Sequence, residues 1–162
     1  MKEKLGALLG AALASAAFST VPAATPAHAE QQYTVQNMGS GRCLYGQANR
    51  TVRQGPCDAN ARWMRVYRHN SSTPQGTLSP MLVHVATGLC LDHNMDQYGS
   101  QPYLSRCSAE DYGQLIGMAS RGGNRIGISP VDGELQLTGW DTGSVSFVYP
   151  NGTPDKQLWA TI

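Results

Sequence analysis

Two segments of the chain carry the same residue pattern, and this repetition constrains the fold more than any other feature. In the first segment the run GRCL at 41–44 is followed by Cys57. In the second segment the run GLCLD at 88–92 is followed by Cys107. A short supersecondary unit cannot bury its apolar face alone, so repeated units must pack against one another. The sequence therefore predicts one domain built from copies of a small unit.

A third copy closes the chain without cysteines. It runs from Gly133 through Tyr149 to the tripeptide QLW at 157–159. We place copy one at about 33–70, copy two at about 78–120 and copy three at about 124–162.

The first 29 residues have the features of a secretory signal peptide. Lys2 and Lys4 precede an apolar, alanine-rich run from Leu5 to Phe18, and residues 27–29 form a small-x-small cleavage site. The alternative, a membrane anchor, is disfavoured because the run is shorter than the ~20 residues that a spanning helix needs. We expect cleavage after residue 29, a mature domain at 30–162 with no membrane span, and secretion from a bacterium.

Four cysteines in an exported chain predict disulfides, and four cysteines allow three pairings. The repeat selects the pairing that stays within each copy, Cys43 with Cys57 and Cys90 with Cys107. A zinc site is the alternative, but neither pair has the C-x-x-C spacing typical of zinc ligands. We expect no metal and no cofactor.

The formal net charge is only +1. Arginines are concentrated in the first half of the mature chain and carboxylates in the second. Because no basic run is interleaved with aromatic residues, the sequence does not indicate a nucleic-acid partner.

Helix signals are poor, because glycine, proline, serine and asparagine recur every few residues. Short alternating runs bounded by these turn residues, such as 63–67 and 81–85, are typical of β-strands. Three copies of a four-strand unit predict twelve strands in a closed, capped barrel without free edges. We expect a loop between His69 and Pro80. The apolar residues that end the copies are expected in the shared core: Trp63, Ile116 and Trp159.

These residues resemble a ricin-type β-trefoil lectin domain. The match is strongest at 82–92, which is similar to the strand, turn and G-x-C-L-D opening of that family. Gln157 and Trp159 match its Q-x-W ending. The resemblance covers 33–162 and implies an all-β trefoil that binds sugars, often of galactose type, in one shallow pocket per copy. Each pocket of the family combines an aspartate, an aromatic ring and an Asn-Gln pair.

The resemblance implies a partial pocket in copy two. Asp92 and Gln114 match the family, and Tyr103 or Tyr98 is expected to supply the ring that is missing at Ser105. We expect Asp92 to be a surface carboxylate whose removal lowers sugar affinity and leaves stability almost unchanged.

In copy three the resemblance places Tyr149 in the stacking position, with Lys156 and Gln157 as polar contacts. Asp141, beside Trp140, is the candidate acidic residue. In copy one Tyr45 replaces the aspartate, so we expect that copy to be structural.

The sequence leaves three alternatives to sugar binding: a calcium site, an enzyme and a protein-binding trefoil. Oxygen side chains alternate along residues 92–96 as in a calcium loop, but Gln97 and Tyr103 stand where an EF-hand needs glycine and glutamate. No G-x-S-x-G, H-E-x-x-H or free thiol indicates an enzyme. A sugar-inactive trefoil that binds a partner protein, as an accessory toxin subunit or a protease inhibitor, is the second function considered.

Overall fold

The computed structural model describes residues 31–69, 78–95, 97–131 and 133–162. The expected signal peptide lies outside these residues. The described chain is almost entirely β, with one short helix, α1, at Pro154–Gln157. Its twelve strands confirm the predicted number: β1 Gln32–Asn37, β2 Cys43–Gly46, β3 Val52–Gly55, β4 Arg62–His69, β5 Leu78–His84, β6 Cys90–Asp92, β7 Tyr103–Ser105, β8 Ile116–Ser120, β9 Arg125–Pro130, β10 Gln136–Gly139, β11 Val145–Val148 and β12 Trp159–Thr161.

Each copy consists of two outer strands that flank a hairpin. The hairpins β2–β3, β6–β7 and β10–β11 are antiparallel, and their registers place Leu44, Leu91 and Leu137 at equivalent positions. The outer strands pair side by side in the order β5, β4, β1, β12, β9, β8. The molecule is thus a barrel of six strands capped by three hairpins.

The three hairpins contact one another in a ring. Leu104 in copy two donates its backbone N–H to Arg50 in copy one at 2.8 Å, and Gln54 in copy one donates equivalently to Gly143 in copy three at 2.7 Å. The third contact differs, because Gly99 in copy two donates to Phe147 in copy three at 3.0 Å. Each hairpin therefore rests on the next one, which closes the cap.

The core lies on the common axis of the three copies. Trp63, Ile116 and Trp159 are fully buried, as the sequence predicts. Both tryptophans donate their indole N–H at 2.9 Å to a hairpin carbonyl, Trp63 to Leu44 and Trp159 to Leu137. These bonds satisfy the one polar atom that each ring carries into the core.

The two outer strands of a copy are not joined by backbone hydrogen bonds in every copy, and we call the boundary between them a seam of the barrel. In copies one and three the outer strands pair through Tyr33 with Trp63 and through Ile126 with Trp159. In copy two the corresponding strands, β5 and β8, lie in contact without a ladder between them in the described chain. Pro80 occupies the position of Tyr33 there, and proline has no N–H to donate. At the seam between β5 and β8, the barrel is therefore closed by packing and not by a ladder of backbone hydrogen bonds.

A second interlock joins neighbouring copies beneath the hairpins. Asn37, at the end of β1, donates to the carbonyl of Lys156 in copy three at 2.9 Å. His84, at the equivalent end of β5, lies 2.9 Å from the carbonyl of Asn60 in copy one. Both side chains fill space that faces a glycine. A Cβ on Gly139 would lie 2.9 Å from the Asn37 side chain, and one on Gly46 would lie 2.8 Å from the His84 ring.

At the third position of this kind, between copies three and two, the donor and the residue that faces it are exchanged. Pro130 holds the position of Asn37 and His84 at the end of β9, and it offers no donor. His93 instead holds the position of the two glycines, and its Nδ1 lies 2.7 Å from the carbonyl of Gly113. The carbonyl is therefore satisfied in all three copies, although the donor comes from the opposite side in one of them.

The loop expected between His69 and Pro80 is shorter than predicted. His69 pairs with Leu78 and Tyr67 pairs with Pro80, so β4 and β5 extend into this segment. Residues 70–77 are outside the described chain. The described residues contain no helix long and apolar enough to cross a bilayer.

Candidate functional site

Both predicted disulfides are present. Cys43 bonds Cys57 and Cys90 bonds Cys107, with Cα–Cα distances of 5.1 and 5.0 Å. In each case the bond joins the first hairpin strand to the segment that follows the second strand. It therefore fixes the backbone next to the region where the family resemblance places a sugar pocket.

In copy two, Asp92 and Gln114 come together as expected, in a buried polar network. The hydroxyl of Ser105 donates to Asp92 Oδ2 at 2.6 Å, and Gln114 Nε2 lies 3.4 Å from the same oxygen. Gln114 also donates to the carbonyl of Arg106 at 2.9 Å and accepts from the N–H of Ser108 at 2.9 Å. The glutamine thus ties the carboxylate to the segment that carries the disulfide.

Asp92 is not the surface carboxylate that the sequence predicts, because only 2% of it is exposed. The reason is Gly113, which stands where the family has asparagine. A Cβ at Gly113 would lie 2.5 Å from Asp92 Oδ1 and 2.5 Å from the carbonyl oxygen of His93. The absence of a side chain lets this backbone fold down onto the carboxylate.

Tyr103 covers the same network from the solvent side. It pairs with Asp92 across the β6–β7 ladder, and 41% of it is exposed. Burial, followed by the charges of Asp92 and Asp111 and a hydrogen bond donated to Asp92, raises the pKa of Tyr103 above 10.0. Its hydroxyl therefore stays protonated and remains a donor at neutral pH.

Asp111 is a further member of this network that the sequence patterns do not predict. This exposed residue accepts from the N–H of Gly113 at 3.0 Å, and its Oδ2 lies 3.2 Å from Gln114 Nε2. Asp58 accepts from the N–H of Asn60 in the same way in copy one. The shared signal is an aspartate immediately before a short 3₁₀ turn, a position where aspartate caps the free N–H groups.

In copy three, Asp141 and Lys156 form an ion pair at the surface. Lys156 Nζ lies 2.7 Å from Asp141 Oδ2, with 31% and 81% of the two side chains exposed. The ammonium group also lies 6.0 Å from the centre of the Trp140 ring. The Trp140 indole N–H donates to Ser146 at 2.8 Å, so the ring is held in place.

Tyr149 presents the exposed ring that the sequence predicts for copy three, with 52% of the residue exposed. Gln157 Nε2 donates to the carbonyl of Tyr149 at 3.2 Å and lies 3.1 Å from the hydroxyl of Thr138. Thr138 and Gln157 therefore stand at the positions of Asp92 and Gln114, and they make the same link without a charge.

Tyr98, a candidate ring for copy two, lies on copy three instead. Its ring stacks on Tyr149, with ring centres 5.1 Å apart and an angle of 22° between the planes. The pair forms an exposed aromatic surface at the boundary between the two copies.

The copy-one position is filled by its own side chain. A Cβ on Gly55 would lie 2.7 Å from the Tyr45 ring, which therefore covers this glycine. Asn60 Nδ2 donates to the Tyr45 hydroxyl at 3.0 Å. A tyrosine in place of the aspartate thus occupies the space of a pocket.

The described residues hold no group of three or more histidine, cysteine, aspartate or glutamate side chains arranged for a metal ion. In the calcium-like run 92–96, the Asp92 carboxylate turns toward Ser105 and Gln114. Asp96 lies outside the described residues.

No family model and no curated protein matches this chain. Solved structures do match. ThreeFoil, a designed threefold-symmetric protein, aligns with a TM-score of 0.65 and 17% identity over 81% of this chain and 97% of that chain. A ricin B-like lectin of Macrolepiota procera in complex with lactose aligns at 0.62 and 15%, over 85% and 98%. The cytolethal distending toxin of Haemophilus ducreyi aligns at 0.61 and 14%, over 85% and 86%. With the three interlocked copies described above, these likenesses establish that the chain has a ricin-type β-trefoil fold.

Proposed function

We propose that this protein is a secreted carbohydrate-binding module whose main sugar site lies in copy three. The observation that carries the proposal is the exposed ring of Tyr149, whose backbone is held by the buried amide of Gln157. An exposed, positioned ring is what a sugar needs, because the C–H face of a pyranose packs on an aromatic surface.

Polar groups for the sugar hydroxyls are offered by Lys156, which precedes Gln157 in the chain, and by its ion-pair partner Asp141. Lys156 donates hydrogen bonds and Asp141 accepts them, and their mutual contact at 2.7 Å holds both in place before a ligand arrives. Charged groups make stronger hydrogen bonds to hydroxyls than neutral groups do. Gln157 supports this arrangement from beneath the surface.

Copy two is proposed as a second, weaker site. Tyr103 is its exposed group, and Asp92 and Gln114 lie beneath it. A sugar hydroxyl reaches Asp92 only where it replaces the hydroxyl of Tyr103 as donor. Because one hydrogen bond to Asp92 replaces another, the exchange adds little binding free energy. We therefore expect copy two to bind more weakly than copy three.

Two such weak sites act together on a ligand that carries several sugars, because the second contact forms at high effective concentration. Galactose-type sugars are the proposed ligands, in line with the lactose held by the Macrolepiota procera lectin. The binding is non-covalent and uses no cofactor or catalytic residue. The two disulfides are consistent with an extracellular location.

The test is retention of the disulfide-bonded protein on immobilised lactose, followed by a glycan array. We expect elution by free galactose from the lactose resin, and loss of retention in Tyr149→Ala. A correctly folded protein that passes through both lactose and mannose resins and binds no glycan on the array would overturn the proposal.

One observation favours protein binding as the second candidate. The exposed Tyr98–Tyr149 surface spans two copies, and aromatic side chains are common anchors of protein interfaces. The likeness to the cytolethal distending toxin of Haemophilus ducreyi makes a role as a toxin subunit the form of this function that we consider. Failure on the glycan array, together with capture of a defined partner chain that requires Tyr98 and Tyr149, would favour this function.

A further inference from the structure

One cleft of the described chain is lined by none of the residues proposed for the two sugar sites. It has a volume of about 500 Å³ and is formed where copy one meets the hairpin tip of copy three. Pockets for small ligands commonly occupy roughly 300–1,000 Å³. The cleft is lined by Gly41, Arg42, Arg53, Gln54, Gly55, Pro56, Cys57, Thr142 and Gly143.

Its walls are fixed by covalent and hydrogen bonds. The Cys43–Cys57 disulfide holds one wall. Gln54 holds the other wall against copy three, because its side chain donates to the carbonyl of Trp140 at 2.6 Å and its backbone N–H donates to Gly143 at 2.7 Å. Walls that are already ordered lose little conformational freedom when a ligand binds.

Two exposed arginines give this cleft a positive charge. Among the described residues that line it, Arg42 and Arg53 are charged and none is acidic. The nearby carboxylate of Asp141 is bound to Lys156 at 2.7 Å. Arg42 reaches only the backbone carbonyl of Asp141, at 3.5 Å. Within the described ranges, neither arginine has a carboxylate partner.

The remaining lining groups suit a flat, hydroxylated ligand. Gly41 has open space where a side chain would stand, and Thr142 contributes a hydroxyl to the lining. A second, smaller groove shares Arg53, Thr142 and Gly143 and continues toward Gln101. The two grooves therefore adjoin at Arg53, Thr142 and Gly143.

We propose that this cleft binds an acidic sugar, with a carboxylate or sulfate group held between Arg42 and Arg53. The planar guanidinium group donates two parallel hydrogen bonds to either anion. The site is separate from Tyr149 and Asp92, so it does not depend on the proposed neutral-sugar sites.

The experiment titrates the disulfide-bonded protein with 3′-sialyllactose and galactose 6-sulfate, with lactose and galactose as their neutral counterparts. At low salt we expect at least one acidic sugar to bind ten times or more tightly than its neutral counterpart, and salt to reduce this preference. The two acidic probes distinguish carboxylate from sulfate. Inorganic sulfate alone should bind at least tenfold more weakly than the preferred acidic sugar.

Matched variants separate this site from the others. Arg42→Gln/Arg53→Gln should reduce acidic-sugar binding to the neutral level, whereas Arg68→Gln, at an exposed arginine of β4 that does not line the cleft, should leave the preference for acidic sugars unchanged. Thermal unfolding monitors the fold of each variant. The proposal is overturned by equal binding of acidic and neutral sugars, by inorganic sulfate binding as tightly as the sugars, or by an acidic preference that survives in the double variant.

Discussion

The Nε2 atom of His84 lies 2.9 Å from the carbonyl oxygen of Asn60, and this contact joins copy two to copy one. A carbonyl oxygen only accepts hydrogen bonds, so Nε2 carries the proton. In the neutral ring, Nδ1 then accepts from the hydroxyl of Thr87 at 2.9 Å. Protonation of Nδ1 removes this acceptor and places a charge in a buried position.

The first prediction concerns pH. Burial lowers the pKa of His84 below 6.5 in the folded protein, against a smaller opposing effect of the Asn60 carbonyl. The unfolded chain then binds the proton more readily, so stability is unaffected above pH 6.5 and is lost as the pH falls below it. We expect a lower melting temperature at pH 5 than at pH 7.5.

The matched control for this prediction is His84→Asn, which installs the residue that copy one uses at the same position. Asn37 makes the equivalent contact to a carbonyl without titrating. The variant should fold and should show a smaller drop in melting temperature between pH 7.5 and pH 5. An equal drop in both proteins would show that His84 is not the responsible group.

The second prediction concerns Asp92. Because Asp92 is buried and accepts from the half-buried hydroxyl of Ser105, its removal should leave this polar network incomplete and destabilise the protein by about 1–3 kcal/mol. Asp92→Ala is therefore expected to lower the denaturation midpoint. Asp58→Ala, an exposed cap in copy one, is the comparison and should cost about 1 kcal/mol. A change at Asp92 no larger than that at Asp58 would contradict the buried network.

The third prediction concerns sugar binding. Tyr149→Ala should weaken binding of the preferred neutral sugar by at least about tenfold. The apolar area that a stacked ring buries against the sugar contributes on the order of 1–3 kcal/mol of binding free energy. Tyr67→Ala is the control, because Tyr67 is similarly exposed on β4 and away from copy three. Calorimetric titration of both variants measures the difference. Equal affinities in the two variants would remove Tyr149 from the site.

The fourth prediction concerns the seam between β5 and β8. Alternate amides of β8 should exchange with solvent faster than the corresponding amides of β4, because Pro80 leaves no ladder on that side. Pro80→Val supplies the missing N–H and should slow this exchange. Equal protection of β4 and β8 in the native protein would show that the seam is bonded in solution.

Most of the architecture could be predicted from the sequence, because it depends on local patterns. The cysteine pairs, the twelve strands and the burial of Trp63 and Trp159 follow from residue types at repeated spacings. Contacts between copies leave no such pattern. Nothing in the sequence shows that Pro80 interrupts a ladder.

The candidate site was less predictable for the same reason. Motif matching located Asp92 and Gln114, and they do meet. It could not show that Gly113 folds onto the carboxylate and buries it, since this depends on the path of the backbone. The arginine cleft joins residues of copies one and three, so a comparison copy by copy does not find it.

The contacts in which Asn37 faces Gly139 and His84 faces Gly46 determine which of the three copies can be repeated to build a symmetric protein. A protein rebuilt from three identical units of copy one would place Asn37 opposite Gly46, which is the arrangement that already works with Gly139. Three units of copy two would direct His84 and His93 into one space that holds a single ring. Three units of copy three would leave Pro130 facing Gly139, with no donor for the carbonyl. Of the three units, only copy one is compatible with itself, so it is the natural starting point for a symmetric redesign.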